Sequence, residues 1–137
     1  MSVIFINKVS MSARIPRTDM RFLFSRAQKL FNREISKKSV SILFVPEKES
    51  RALNFKYRRK NNSTNVLSFS SLDKEELGDI VICPQVAKRE AKENKIGYRW
   101  WVSYLFAHGI LHLLGYDHNT KKTEEIMDKL TRKIICD

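Results

Sequence analysis

The chain has 137 residues, enough for one domain with a real core and too few for two comfortable ones. Hydrophobic residues make up 42% and charged residues 30%, with only four glycines and three prolines, which excludes a disordered or low-complexity chain. The formal charge of +11 favours polyanions through long-range attraction and counterion release, and is equally the surface of a merely soluble basic protein.

Residues 2–7 are rich in Val, Ile and Phe and predict a first strand. The opening MSVIFINKVS lacks a basic segment followed by an apolar one, so no secretory signal is expected. Pro16 suits a first helical turn. Met20, Leu23, Phe24, Ala27, Leu30 and Phe31 then recur at helical spacing, with Arg17, Arg21, Lys29 and Arg33 largely on the other side. Residues 39–45 are apolar at nearly every position and predict a strand buried on both faces, ended by Pro46.

Residues 47–57 predict a helix with Leu53 among its inward residues. The cluster Lys56, Arg58, Arg59 and Lys60 follows, then a loop at Asn61, Asn62 and Ser63. Residues 64–69 predict a third strand and residues 70–77 a polar connection. Gly78 and Asp79 read as a turn opening a fourth strand at residues 80–83. Pro84 starts a helix through Val86, Ala87 and Ala91, with Lys88, Arg89, Lys92 and Lys95 facing water, and Gly97 separates it from the next. Residues 100–114 form the most apolar stretch, too short to span a bilayer and carrying Ser103, His108 and His112, so a buried helix and no membrane partner are expected. Asn119 or Thr120 caps a last helix with Glu124 and Glu125 early and Ile126, Met127, Leu130 and Ile134 as its apolar line. The pattern is one α/β (α+β) domain over residues 1–137, with about four strands and about five helices. Cys83 and Cys136 make no disulfide framework and read as free thiols in a reducing cytoplasm.

All three histidines fall within HGILHLLGYDH, residues 108–118. His108 and His112 share a helix face one turn apart. Gly115 then stops the helix, and the chain turns back through Tyr116 and Asp117 to deliver His118. Three imidazoles with an open fourth position are the pattern of a catalytic zinc site, whereas structural zinc is usually closed by four ligands. One zinc ion per chain is expected on His108, His112 and His118. A zinc ion so held supports hydrolysis of a carbonyl or phosphoryl centre.

The spacing also matches the metzincin peptidase signature H-E-x-x-H-x-x-G-x-x-H at its histidines and its glycine. The general-base glutamate of those peptidases is Gly109 here, which carries no proton, so peptidase function is not expected. Gly109 reads instead as space left beside the metal. A phosphodiester needs charge neutralisation above all, and metal plus arginine is the usual supply. That points to the cluster around Arg58, which by itself reads first as a solvated charge run at a helix end.

HGILHLLGYDH closely resembles the signature H-G-x-L-H-L-x-G-Y-D-H of the YbeY family, bacterial endoribonucleases tied to ribosomal RNA maturation. LNFKYRRKNNSTNVLSF, residues 53–69, is similar to the family's L-N-x-x-Y-R-x-K-x-x-x-T-(D/N)-V-L-S-F, and Gly78, Asp79 and Ile80 match its G-D-I. The resemblance implies a single-strand-acting, zinc-dependent endoribonuclease that matures the 3′ end of small-subunit ribosomal RNA and serves ribosome quality control. It implies zinc on His108, His112 and His118, ribosomal RNA as partner, and contact with small-subunit ribosomal proteins. It also implies a functional arginine at Arg58, for phosphate binding or transition-state stabilisation, with Arg59 and Lys60 as weaker substrate-binding candidates. Ser63 stands where relatives frequently have proline. The rival reading is a non-catalytic RNA-binding ribosome-assembly factor with structural zinc.

Four further residues have two readings each. Asp117 orients an imidazole or, preferably, forms the turn after Gly115. Tyr116 donates to substrate or, preferably, packs beneath the metal. Asp79 lies near the cleft or serves the strand-opening turn. Trp100 and Trp101 are base-stacking platforms or, preferably, core.

Overall fold

The runs of β-branched and aromatic residues pair into one sheet in the computed structural model, which describes residues 3–9 and 15–136. The strands are β1 (Val3–Asn7), β2 (Ser39–Phe44), β3 (Val66–Ser70) and β4 (Glu76–Ile82), in spatial order β1-β2-β4-β3. Ser2, expected to begin β1, lies outside the described residues. β1 runs parallel to β2 and β2 to β4, whereas β3 returns antiparallel to β4 and forms one edge. The mixed four-stranded sheet of an α+β domain agrees with the sequence reading.

Among the described residues there are six helices: α1 (Arg17–Leu30), α2 (Asn32–Ile35), α3 (Glu47–Arg58), α4 (Pro84–Glu93), α5 (Tyr98–Leu113) and α6 (Lys121–Cys136). The unexpected one is α2, a single turn that forms because Phe31 leaves the helical region at φ −119°. That break takes Leu30 out of the inward line and leaves it 42% exposed, while Ile35 of α2 fills the core instead.

One sheet face holds the main core. Val40, Ile42 and Phe44 of β2 meet Phe24 of α1, Phe106 of α5 and Met127 of α6, all buried. Full burial of a side chain of this size contributes roughly 1.5–3 kcal/mol before entropy is counted. β2 is not equally buried on its two faces, as its apolar sequence suggested. Ser39, Ser41 and Leu43 are only partly covered. Leu43 joins a smaller cluster with Val45, Leu67 and Val81, roofed by Leu53 of α3.

α6 starts on a reciprocal cap. The Thr123 N–H donates to Thr120 Oγ1 at 3.1 Å, and the Thr120 N–H donates to Thr123 Oγ1 at 3.0 Å. Ile126 does not belong to the inner line, being 44% exposed. Thr131 is buried in that line and returns its hydroxyl to the Met127 carbonyl at 2.7 Å. Cys83 is buried, Cys136 is exposed, and both are free thiols. No helix among the described residues is long and apolar enough to cross a membrane.

Gly78 and Asp79 do not form a turn; both lie inside β4. The β2–β4 register slips at Ser39/Val40, which pair with Glu76 and Gly78, so Leu77 is an extra residue in the ladder. This bulge buries Leu77 and Gly78 in succession. Gly78 has φ +150°, and a Cβ there would stand 2.3 Å from the Phe69 carbonyl oxygen and 2.9 Å from a Leu113 methyl of α5. A side chain would therefore separate β3 from β4 and lift the end of α5. Gly78→Ala is expected to destabilise the fold by about 3 kcal/mol or more, from backbone strain plus overpacking. Urea unfolding measures this, and a loss under about 1 kcal/mol would contradict the assigned packing.

Candidate metal centre

α5 is apolar nearly all round and packs against β3, β4, α1, α4 and α6. It seats closely on the sheet at Gly109, where a Cβ would meet the Ile80 side chain at 3.0–3.3 Å. Gly109 is buried, so the space it leaves is used by β4 and not by the cleft, contrary to the sequence expectation. The seating presents His108 and His112, both half-buried, on the open side of the helix.

The C-terminus of α5 determines where the third ring goes. Gly115 takes φ +100°. Its N–H donates to the His112 carbonyl, and the Tyr116 N–H donates to the Leu111 carbonyl, both at 3.0 Å. This paired closure is the Schellman motif, which favours glycine at the left-handed position. Tyr116 then packs on the core, with Phe31 edge-on at 6.1 Å, so it anchors the turn. Asp117 Oδ1 accepts the Asn119 N–H at 3.3 Å, the turn-forming role preferred from sequence. His118 is thereby carried back over the helix end.

The three rings form a near-equilateral group. Ring centroids are 4.8 Å apart for His108 and His112, 5.1 Å for His112 and His118, and 5.5 Å for His108 and His118. One ligand nitrogen from each ring lies within 4.8 Å of the others. Burial and the neighbouring rings of His112 and His118 lower the His108 pKa to about 4. Burial lowers that of His112 as well, helped by His118 and Arg58 and opposed by a hydrogen bond to the Tyr116 backbone. These two rings are therefore neutral at pH 7 and offer lone pairs. His108 Nδ1 is buried without a hydrogen-bond partner among the described residues. A group of this donor type, with one buried nitrogen unsatisfied, fits a divalent metal ion.

Arg58 ends α3 and lines the same cleft. The Tyr57 ring stands edge-on to Phe69 of β3 at 4.8 Å and holds the helix end to the sheet. Arg59 turns left-handed, at φ 59°, and its N–H donates to the Phe55 carbonyl at 3.0 Å. Ser50 Oγ donates to the Thr64 carbonyl at 2.7 Å, and Asn54 Nδ2 to the Asn62 carbonyl at 2.9 Å, so the following loop is tied down. The left-handed residue diverts the chain. Arg59 and Lys60 are exposed and do not line the cleft, so the structure separates them from Arg58. Asp79 is exposed on the sheet face opposite α5, because its strand neighbours Gly78 and Ile80 face that helix, and so it stands away from the cleft.

The cleft has a volume of about 830 Å³, between β3 and the exposed side of α5. Its wall includes Thr64, Asn65, Ser68, Ser70 and Tyr104, none of which the sequence reading placed there as site residues, and Trp101, for which a base-stacking role was the second reading. Trp100 and Trp101 are half-buried; Trp101 packs against the main core and also lines the cleft. The signal for Tyr104 was the i, i+4 spacing that also links His108 to His112. No aspartate or glutamate lines the cleft among the described residues.

Three comparisons with known proteins bear on this arrangement. The chain matches the family model described as Endoribonuclease YbeY over residues 5–137. It is 35% identical to Endoribonuclease YbeY of Bdellovibrio bacteriovorus, covering 92% of this chain and 87% of that protein. It is 37% identical to Endoribonuclease YbeY of Xylella fastidiosa strain M12, covering 97% and 89%. The solution structure of TM1509 from Thermotoga maritima superposes with a TM-score of 0.64 at 25% identity, over 97% of this chain and 89% of that one. The chain belongs to the YbeY family.

The depressed His108 pKa has a measurable sign. Between pH 6.5 and about 4 the unfolded chain binds a proton at this ring that the metal-free folded protein refuses. Folding therefore loses stability as pH falls through that window and levels off below it. An NMR titration of metal-free protein is expected to show His108 still neutral at about pH 5, with a falling urea midpoint from about pH 7 to 5. A His108 midpoint near its ordinary 6.5 would mean that the ring is open to water.

Proposed function

We propose that this YbeY-family chain is a zinc-dependent endoribonuclease that cleaves unpaired regions of ribosomal RNA during its maturation, acting as one domain in a cytoplasm. The observation that carries the reading is the chemistry of the cleft. Three imidazoles and Arg58 line it, and no carboxylate among the described residues opposes an anionic substrate. The net charge of +11 acts in the same direction at longer range. The names of the relatives support the activity, and free Cys83 and Cys136 accord with a reducing compartment.

His108, His112 and His118 hold the metal. A zinc ion bound there supplies Lewis acidity and neutralises charge on a phosphoryl oxygen. Arg58 binds the scissile phosphate through its planar fork of donors and remains charged throughout. It stands at a helix end tied to β3 through Tyr57 and Phe69. Tyr104 keeps its proton, because burial and the Asp128 carboxylate hold its pKa above the usual phenol range. The chain places no spare imidazole in the cleft, so proton removal from the attacking hydroxyl falls to solvent or substrate.

That last point favours a second reading, an RNA-binding assembly factor that uses zinc to fasten α5 to the segment before α6. The open face of the three rings argues against it, since structural zinc is usually closed by a fourth protein ligand. Peptide hydrolysis is disfavoured twice: Gly109 carries no proton, and its missing side chain points at Ile80. Family resemblance extends the reading to contact with small-subunit ribosomal proteins.

Purified protein is expected to contain one zinc ion per chain and to lose RNA cleavage when the metal is chelated. His112→Ala should lose both metal and cleavage. Arg58→Ala should stay folded, keep its metal, and cleave about 100- to 1000-fold more slowly. An unchanged rate in Arg58→Ala removes Arg58 from the reaction. Cleavage that survives His112→Ala and chelation belongs to a contaminant and favours the assembly-factor reading.

A further inference from the structure

Three rings on the open side of α5 stand with nearly parallel planes. Trp101 and Tyr104 have centroids 5.2 Å apart at 16°, and Tyr104 and His108 have centroids 6.0 Å apart at 18°. All three line the metal cleft, so the strip leads to the metal-binding rings. The polar tips of the first two are already engaged. The Trp101 indole N–H donates to Glu90 Oε1 at 3.1 Å, and Asn65 Nδ2 donates to the same oxygen at 3.0 Å. The Tyr104 hydroxyl donates to Asp128 Oδ1 at 2.6 Å. Both rings are therefore fixed in angle, and each has only one small polar atom, already used. At 5.2 Å and 16° the two rings overlap in part, so what they offer the cleft is the apolar aromatic surface left outside that overlap.

The opposite wall has the complementary character. The Cys83 N–H donates to the Asn65 carbonyl, and the Ser71 N–H to the Leu77 carbonyl. With the β3–β4 register, these bonds assign residues 65, 67, 69 and 71 to the ladder. The backbone groups of Val66, Ser68 and Ser70 consequently point out from the free edge of β3, and all three residues line the cleft. One wall is thus aromatic, the other carries a row of hydrogen-bonding groups beside Leu67 and Phe69, and Arg58 and the three imidazoles line the same cleft. A nucleotide has the same division, with a flat apolar base on one side and a polar sugar-phosphate on the other.

We propose that Trp101 and Tyr104 form a stacking site for a nucleobase flanking the scissile phosphate, while the free edge of β3 faces the sugar-phosphate of the same strand. The site rests on the endoribonuclease reading and names what that cleft selects: a base free to leave its stack. It is a specificity surface, and neither ring exchanges a proton with substrate. Stacking tolerates every base, so the site favours unpaired RNA over paired RNA without favouring a sequence.

The test uses the zinc-loaded protein and a short single-stranded RNA, with binding read by stopped-flow anisotropy before cleavage sets in. A matched set carries one abasic nucleotide at each position in turn. Removing a base at one position is expected to weaken binding by about 5- to 100-fold. Trp101→Ala should weaken binding of the intact RNA comparably and abolish most of the additional effect of the abasic nucleotide. Tyr104→Leu serves as a second variant, and the abasic series needs no variant at all. The proposal is overturned if every abasic RNA binds within about twofold of the intact one, or if both variants bind intact RNA as wild type does. It is also overturned if no RNA binds. Cleavage of the same RNA at longer times separates the two readings. A positional abasic effect on binding without metal-dependent cleavage sinks the enzyme reading alone, and cleavage with no abasic effect sinks only the stacking site.

Discussion

The seat of α5 on the sheet is the constraint from which the site follows. Two glycines allow it. Gly109 lets the helix approach Ile80, and Gly78 lets β4 pass under Leu113 and beside the Phe69 carbonyl. Neither glycine touches the metal-binding rings. Their effect is indirect: with the helix seated there, His108 and His112 point over the sheet edge, and the Schellman closure at Gly115 sends His118 to meet them. A helix raised by one methyl group would carry its two rings away from Arg58, which is fixed to the sheet through Tyr57 and Phe69. Packing and ligand geometry are one problem in this fold.

The electrostatics of the cleft follow from where the carboxylates went. Glu90 and Asp128 both lie near the cleft wall, and each is engaged by an aromatic tip, Trp101 and Tyr104 respectively. Asp128 also accepts from Arg132 Nε at 3.1 Å. These acids fix the ring orientations from behind without lining the cleft. The imidazoles feel chiefly burial and one another, with a smaller opposing pull from Asp128, and His108 stays neutral well below its ordinary range. That arrangement costs the metal-free protein stability in acid and leaves lone pairs available at neutral pH, where they could hold a cation.

Local pattern made much of this visible in the sequence and tertiary contact decided the rest. The histidine spacing gave the three rings, because i, i+4 on a helix and a glycine stop are local rules. Arg58, Arg59 and Lys60 are chemically alike in a row, and only the left-handed turn at Arg59 selects which one enters the cleft. Gly78-Asp79 has the composition of a turn, yet the bulge against Phe69 is made by a strand eight or more residues away in sequence. Trp100 and Trp101 read as core because an apolar helix gives no sign of which side is left open. Ile126 and Leu30 failed for a similar reason: periodicity predicts a stripe, and its ends depend on neighbours that sequence spacing does not reveal.

The direction of residue 109 also bears on how this histidine pattern relates to that of the metzincin peptidases. The spacing of histidines and glycine is shared, but the position after the first histidine here faces the sheet, with Ile80 in contact distance of any Cβ. A glutamate at that position would have to displace Ile80 or the helix before its carboxylate reached the cleft. The two constellations therefore differ in more than one side chain. Here the helix has spent that position on close packing, and among the described residues the cleft is free of carboxylate. A peptidase needs an acid at that point to carry a proton to its leaving amine. A cleft meant for a phosphodiester gains from having none, because each carboxylate would repel an anionic substrate and offset the positive charge of Arg58 in the same cleft.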